Sequence, residues 1–96
     1  MNSELIIINK YCSHSQIEPE FISNLEHEGL IEISVVNNER YIHISQLETL
    51  ERYARLYYDL SVNIEGIDVI RNLLERIDQM QNEISHLKEV ISLIDK

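Results

Sequence analysis

From Asn63 to the last residue the chain contains no Pro, and its one Gly there, Gly66, falls at the very start of the stretch. Apolar residues recur along it at Ile67, Ile70, Leu74, Ile77, Met80, Ile84, Leu87, Ile91 and Ile94, in steps of three and four. That spacing predicts a single long helix with a heptad seam, irregular only near Met80. A helix of some thirty residues is about 45 Å long. A chain of 96 residues cannot fold a core large enough to cover such a helix. No second long helix is available within the chain, so the far half of the seam is expected to meet a second copy. Ile70, Leu74, Ile77, Ile84, Leu87 and Ile91 are the expected homodimer contacts.

The rest of the chain is short of loop formers, with Gly 2 and Pro 1 overall. Leu5 to Ile8 read as a short buried strand or lead-in. Asn9 is the expected cap of a short helix over 10–14, followed by a turn at "SHSQ". Glu18-Pro19 opens a second helix with Pro at its first position. Phe21, Ile22 and Leu25 form its apolar face, and Gly29 stands where the helix ends in the left-handed conformation. Two short helices joined by a tight turn make a helix-turn-helix.

In "LIEISVVNNERYIHIS", Ile31, Ile33 and Val35 alternate with polar residues, as do Ile42 and Ile44, with Asn37-Asn38 between the two runs. That pattern predicts a β-hairpin, a wing following the helix-turn-helix. "SQLE" is a capping box in which Ser45 and Glu48 open a connecting helix that runs to about Leu60. Its apolar stripe is Leu47, Leu50, Ala54 and Tyr57, with Glu48–Arg52 and Glu51–Arg55 as supporting pairs. "DLSVN" breaks it, and Asn63 caps the long helix. The expected fold is mainly α, with residues 1–61 as a winged helix-turn-helix domain and residues 62–96 as a dimerisation helix.

Net charge is -9 at pH 7, which disfavours phosphate and anionic lipid surfaces and favours cationic partners. Between Lys10 and Arg40 there is no Lys or Arg, while Glu18, Glu20, Glu26, Glu28, Glu32 and Glu39 all lie in that interval. The outward face of the helix that would read DNA carries Glu20, Ser23, Asn24 and His27. Base-reading side chains need phosphate contacts to set their register, and nothing here supplies them. No two His are spaced as metal ligands, no Gly-rich loop cradles phosphate, and the Glu residues read as solvated faces. Catalytic residues, a metal and a cofactor are therefore not expected. Cys12 reads as a small buried residue. The lone Cys and the lack of a signal-like or membrane-length apolar run point to a cytoplasmic protein.

The order of elements resembles the MerR family. "INKYCSHSQIEPEFISNLEHEGLI" sits where that family has its helix-turn-helix, and "ERYI" sits at the wing. MerR regulators carry Arg on the second helix and wing; only Arg40 corresponds here, so DNA is not an expected partner. A closer resemblance is to the CbpM family, a MerR-like offshoot. Its first signature is matched by Tyr11, Cys12, His14, Ile17, Glu20, Gly29 and Leu30. Its second is matched by Arg55, Leu56, Asp59, Leu60, Gly66 and Ile67. The resemblance implies a chaperone modulator that binds and inhibits the J-domain of a DnaJ-like co-chaperone, dimerising through antiparallel long helices. It leaves a MerR-type DNA-binding regulator as the alternative. The acidic contacts expected for a basic J-domain helix fall in two patches. One is Glu18, Glu20, Glu26 and Glu28 on the second helix. The other is Asp59, Glu65 and Asp68 at the connector and the start of the long helix, and the second-helix patch is favoured.

Overall fold

The computed structural model describes residues 4–95. The chain runs β1 (Leu5–Ile7), α1 (Ile8–Ser15), α2 (Pro19–His27), β2 (Ser34–Val36) and β3 (Glu39–His43). A 3-10 turn (Ile44–Gln46), α3 (Leu47–Ala54), a π-helical turn (Arg55–Asp59) and α4 (Ile64–Ile94) follow. This is the mainly helical winged helix-turn-helix expected, with a long final helix.

The core sits where α1, α2, β3, α3 and the first turns of α4 meet. Ile8, Ile22, Leu25, Ile42, Leu50 and Ile67 are its fully enclosed side chains. Burying an aliphatic side chain of this size contributes about 1.5–3 kcal/mol, so these six positions hold the body together. Phe21 and Cys12 complete the helix-turn-helix contact, both buried.

The sheet is three-stranded in the order β1-β3-β2, all antiparallel. Leu5 pairs with His43 and Ile7 with Tyr41, so the lead-in closes the inner edge of the hairpin. The turn residues Asn37 and Asn38 have φ of 54° and 65°, the mirror-image turn that suits a two-residue hairpin. Strand β2 starts at Ser34, later than the alternation from Ile31 suggests. Ile31 is buried in the loop before it, whereas Val35 is 65% exposed. The reason is a side-chain clamp: the Gln46 amide accepts from the Glu32 N–H and donates to the Glu32 carbonyl, both at 2.8 Å, which holds that loop off the ladder.

Several local expectations need correction. Helix α1 begins at Ile8, not after Asn9, because burying Ile8 fixes the first turn; Asn9 caps nothing. It also continues through Ser13–Ser15, so only Gln16, at φ 62°, makes the turn expected of "SHSQ". Ser45 and Glu48 form no capping box. The 3-10 turn pushes the start of α3 to Leu47, and the Ser45 N–H donates to His43 Nδ1 at 3.0 Å. Neither Glu48–Arg52 nor Glu51–Arg55 is among the ion pairs of the described residues.

The stripe on α3 also shifts. Leu50 and Ala54 are buried, but Tyr53 is buried in place of Tyr57. The π-helical turn widens the helix there and rotates the residues beyond it. Leu56 packs on the core and Tyr57 turns outward. Ser61, in the left-handed region at φ 58°, then ends the connector, and the Val62 N–H donates to the Leu56 carbonyl at 2.9 Å.

Helix α4 spans 31 residues. The Asn63 side chain caps it, accepting from the Gly66 N–H at 2.8 Å. A Cβ on Gly66 would lie 2.8 Å from Val62 Cγ1 and 3.0 Å from this same Asn63 Oδ1. The Gly-Ile pair of the second signature is therefore structural: Gly66 leaves room for the cap and Ile67 fills the core.

Gly29 closes α2 with φ 75°, and a Cβ there would meet nothing within 4 Å. Its cost on substitution is therefore conformational alone. Gly29→Ala is expected to lower stability by about 1–2 kcal/mol, the penalty for a left-handed non-Gly residue. Urea denaturation checks this, with a lower midpoint and an unchanged slope.

Candidate partner-binding site

The two acidic patches prove to be neighbours in part. Pro19 starts α2 so that Glu20 in its first turn and Glu28 at its C-cap lie in solvent, while Phe21, Ile22 and Leu25 face inward. The start of α4 lies beside the end of α2. Between them is an open groove of about 290 Å³ lined by Asn24, His27, Glu28, Tyr57, Asn63, Ile64 and Glu65. Glu28 from the first patch and Glu65 from the second thus face one groove floored by Tyr57.

The remaining acids are distributed differently. Glu26 is held 3.5 Å from Arg40 of the wing. Asp68 is 3.0 Å from Arg71, which also reaches Glu75 at 3.9 Å. Glu18 lies at the mouth of the helix-turn-helix turn, where its N–H donates to the Tyr58 hydroxyl at 3.1 Å. Asp59 belongs to a second cleft of about 440 Å³ on the other side of the π-helical turn, with Tyr11, Glu51, Arg55 and Tyr58 among its lining residues. Arg55, a signature residue, lies in this cleft outside the ion pairs of the described residues.

Electrostatically the face is one-signed. Arg40 is the only Lys or Arg of the interval from Tyr11 to Arg40, and its guanidinium is turned onto Glu26. Both partners are about half exposed, so the pair adds little stability, but it leaves α2 with no cation pointing outward. A helix presented this way offers carboxylates, one imidazole and one amide to a partner. It suits ammonium and guanidinium groups and repels phosphate.

Cys12, part of the first signature, is buried on α1, and burial pushes its thiol up. Burial likewise raises the phenols of Tyr11 and Tyr53, Glu51 adding to the effect at Tyr11. In each case the native state holds the proton more tightly than the unfolded chain. Stability contributed this way is complete below the unfolded values, about 8.5 for Cys and about 10 for Tyr, and is lost as pH rises through and beyond them. Thermal melts are expected to hold level up to about pH 8 and to fall progressively above about pH 9. In parallel, native Cys12 should resist a thiol reagent at pH 8 until denaturant is added.

On α4 only Ile67 is fully enclosed. Ile70 is half-buried, while Leu74, Ile77, Ile84, Leu87 and Ile91 are exposed, together with Leu73 at 51%. Leu73 was missed in the sequence. Counting it in place of Leu74 makes the seam from Ile70 to Ile94 a regular three-four alternation, and removes the irregularity at Met80. The signal was there, since Leu73 stands one heptad before Met80.

Among the described residues no group of His, Cys, Asp and Glu is placed to hold a metal ion. No helix among them is long and apolar enough to cross a membrane.

A helix-turn-helix, a hairpin wing, a connecting helix and a long terminal helix make up the described fold. The chain belongs to the MerR HTH family of regulatory proteins, whose family model matches residues 6–89. Among curated proteins it is similar to chaperone modulatory proteins of the CbpM type. The chaperone modulatory protein CbpM of Pseudomonas entomophila (strain L48) is 26% identical over 93 residues, covering 93% of this chain and 92% of the relative. CbpM of Pseudomonas putida (strain W619) is 27% identical over 93 residues, with the same coverage. Neither the family nor these relatives are named as enzymes. No solved structure matches the chain.

Proposed function

We propose that the protein is a non-enzymatic chaperone modulator that binds the J-domain of a DnaJ-like co-chaperone and inhibits it. The observation that carries the reading is the conversion of the DNA-reading helix into an acidic surface. Glu20 on α2 and Glu28 at its C-cap are exposed, Glu28 shares a groove with Glu65, and the wing's only Arg is ion-paired with Glu26. The resemblance to CbpM names a partner that fits this surface, because J-domains engage their chaperone through a basic helix. An acidic protein seated on that helix blocks the engagement. Complementary charge of this kind accelerates association and sets specificity. The protein acts as a homodimer through the seam of α4, antiparallel as the MerR likeness implies, and requires no cofactor.

Calorimetric titration with the J-domain of the cognate co-chaperone tests the reading. Saturable one-to-one binding per chain is expected, weakening as salt is raised. A duplex carrying a MerR-type operator serves as the contrasting arm, and no retention at micromolar protein and physiological salt is expected. A nanomolar, sequence-selective shift of that duplex, with no heat from the J-domain, makes the protein a transcriptional regulator instead.

A further inference from the structure

Two consecutive tyrosines, Tyr57 and Tyr58, are presented to solvent by the π-helical turn, 37% and 41% exposed. Their inner faces are fixed. Both rings pack on the buried ring of Phe21, with centroids at 4.6 and 5.4 Å, and they meet each other edge-on at 5.0 Å and 87°. The Tyr58 hydroxyl also accepts the Glu18 N–H. Their outer faces open onto opposite sides of the turn: Tyr57 floors the groove of Glu28 and Glu65, and Tyr58 lines the cleft of Glu51 and Asp59. A regular α-helical continuation of α3 would have carried Tyr57 toward the core, so the π-helical turn is what creates this surface.

We propose that the Tyr57–Tyr58 pair is the anchor of the docking surface, and that it receives the lysine- or arginine-bearing face of an amphipathic helix. The aliphatic stems of those side chains lie across the rings, and their charged ends reach Glu28 and Glu65 on one side and Glu51 and Asp59 on the other. Charge complementarity selects this occupant: carboxylates flank the rings on both sides and outnumber the one guanidinium there, Arg55 in the second cleft, on a chain of net charge -9. The rings are already immobilised on Phe21, so binding orders little that is free. Tyrosines of this kind carry binding energy, through buried area and cation–π contact, that surrounding charges do not. The acids then govern how fast a partner arrives and the rings how long it stays. The inference rests on the chaperone-modulator reading for the identity of the helix, which is that of the J-domain.

Stopped-flow kinetics with the cognate J-domain separate the two roles. Tyr57→Ala is expected to raise the dissociation rate by about thirtyfold or more, leaving the association rate and its salt dependence at wild-type values. Tyr57→Phe, which keeps the ring on Phe21, is expected to stay within about threefold of wild type. The ring resonances of Tyr57 and Tyr58 in the unmutated protein give a readout independent of folding, and both are expected to shift on titration. Wild-type dissociation from Tyr57→Ala, or rings unmoved while the J-domain binds, overturns the inference and leaves the chaperone reading standing. If no J-domain binds but a synthetic lysine-rich amphipathic helix still shifts both rings, the chaperone reading falls and the docking surface stands. Shifts produced only by raising the protein's own concentration assign the surface to a second copy and overturn the inference.

Discussion

Leu87→Asp is expected to turn a dimeric protein into a monomer at tens of micromolar. Leu87 is 58% exposed in the single chain and lies far along α4 from the enclosed Ile67. The body of the protein does not depend on it. In a symmetric pair each protomer loses one apolar contact worth about 1.5–3 kcal/mol when fully buried, and gains a carboxylate in the seam. Losing both contacts raises the dissociation constant by at least about a hundredfold. Light scattering reads the mass directly. Because most helical stability in proteins comes from packing of the apolar face rather than from propensity, far-ultraviolet circular dichroism should also lose part of the signal of α4. The tyrosine signals from the packed Phe21 cluster should persist. A wild-type protein already monomeric at that concentration, or a Leu87→Asp variant with wild-type mass, sinks the dimer.

The second large effect concerns charge reversal on the acidic face. Glu28→Lys with Glu65→Lys places two cations on the walls of the shared groove. Association with the J-domain is expected to slow by about tenfold or more at low salt, with most of the difference erased at high salt. Glu20→Lys with Glu26→Lys, at two other acids of the second-helix patch favoured from the sequence, is expected to do less. Glu26 already spends its charge on Arg40 at 3.5 Å, so reversing it also sets two cations against each other on the wing. Asp59→Lys with Asp68→Lys reverses one acid of the second cleft and one held beside Arg71. Because only Asp59 of this pair faces the docked helix, a smaller slowing than that of the groove pair is expected. If this last pair abolishes binding and the groove pair does not, the partner sits on the other side of the π-helical turn. Circular dichroism controls for folding throughout.

Element order was legible in the sequence because each boundary is made by local chemistry. Pro19 opens a helix, Gly29 and the Asn37-Asn38 pair require positive φ, and Asn63 caps α4 with its own side chain. What was not legible depends on contacts distant in sequence. Gln46 reaches back to Glu32 and shortens β2. Burial of Ile8 starts α1 inside the run that reads as a strand or lead-in. No local signal in "RLYYD" announces a π-helical turn, so the residue that leaves the stripe could not be named. The same limit held for the site. The acids were visible as a composition, but only the folded chain brings Glu28 beside Glu65 and separates both from Asp59. Pairing with Arg40 and Arg71 is likewise a property of the fold.

The length of α4 has a consequence of its own. Only its first turns belong to the body, and the rest stands clear of it, in a molecule with a longest dimension of 60 Å. Paired end over end with a second copy, such a helix works as a rigid spacer. It would hold two identical docking faces at a fixed separation and pointing in related directions. A partner carrying one basic helix per molecule would bind each face independently. A partner that is itself paired, with its basic helices at a matching distance, would find the second face already at high local concentration once the first is engaged. Discrimination between single and paired co-chaperones would then reside in the reach of the helix, without any change to the faces themselves.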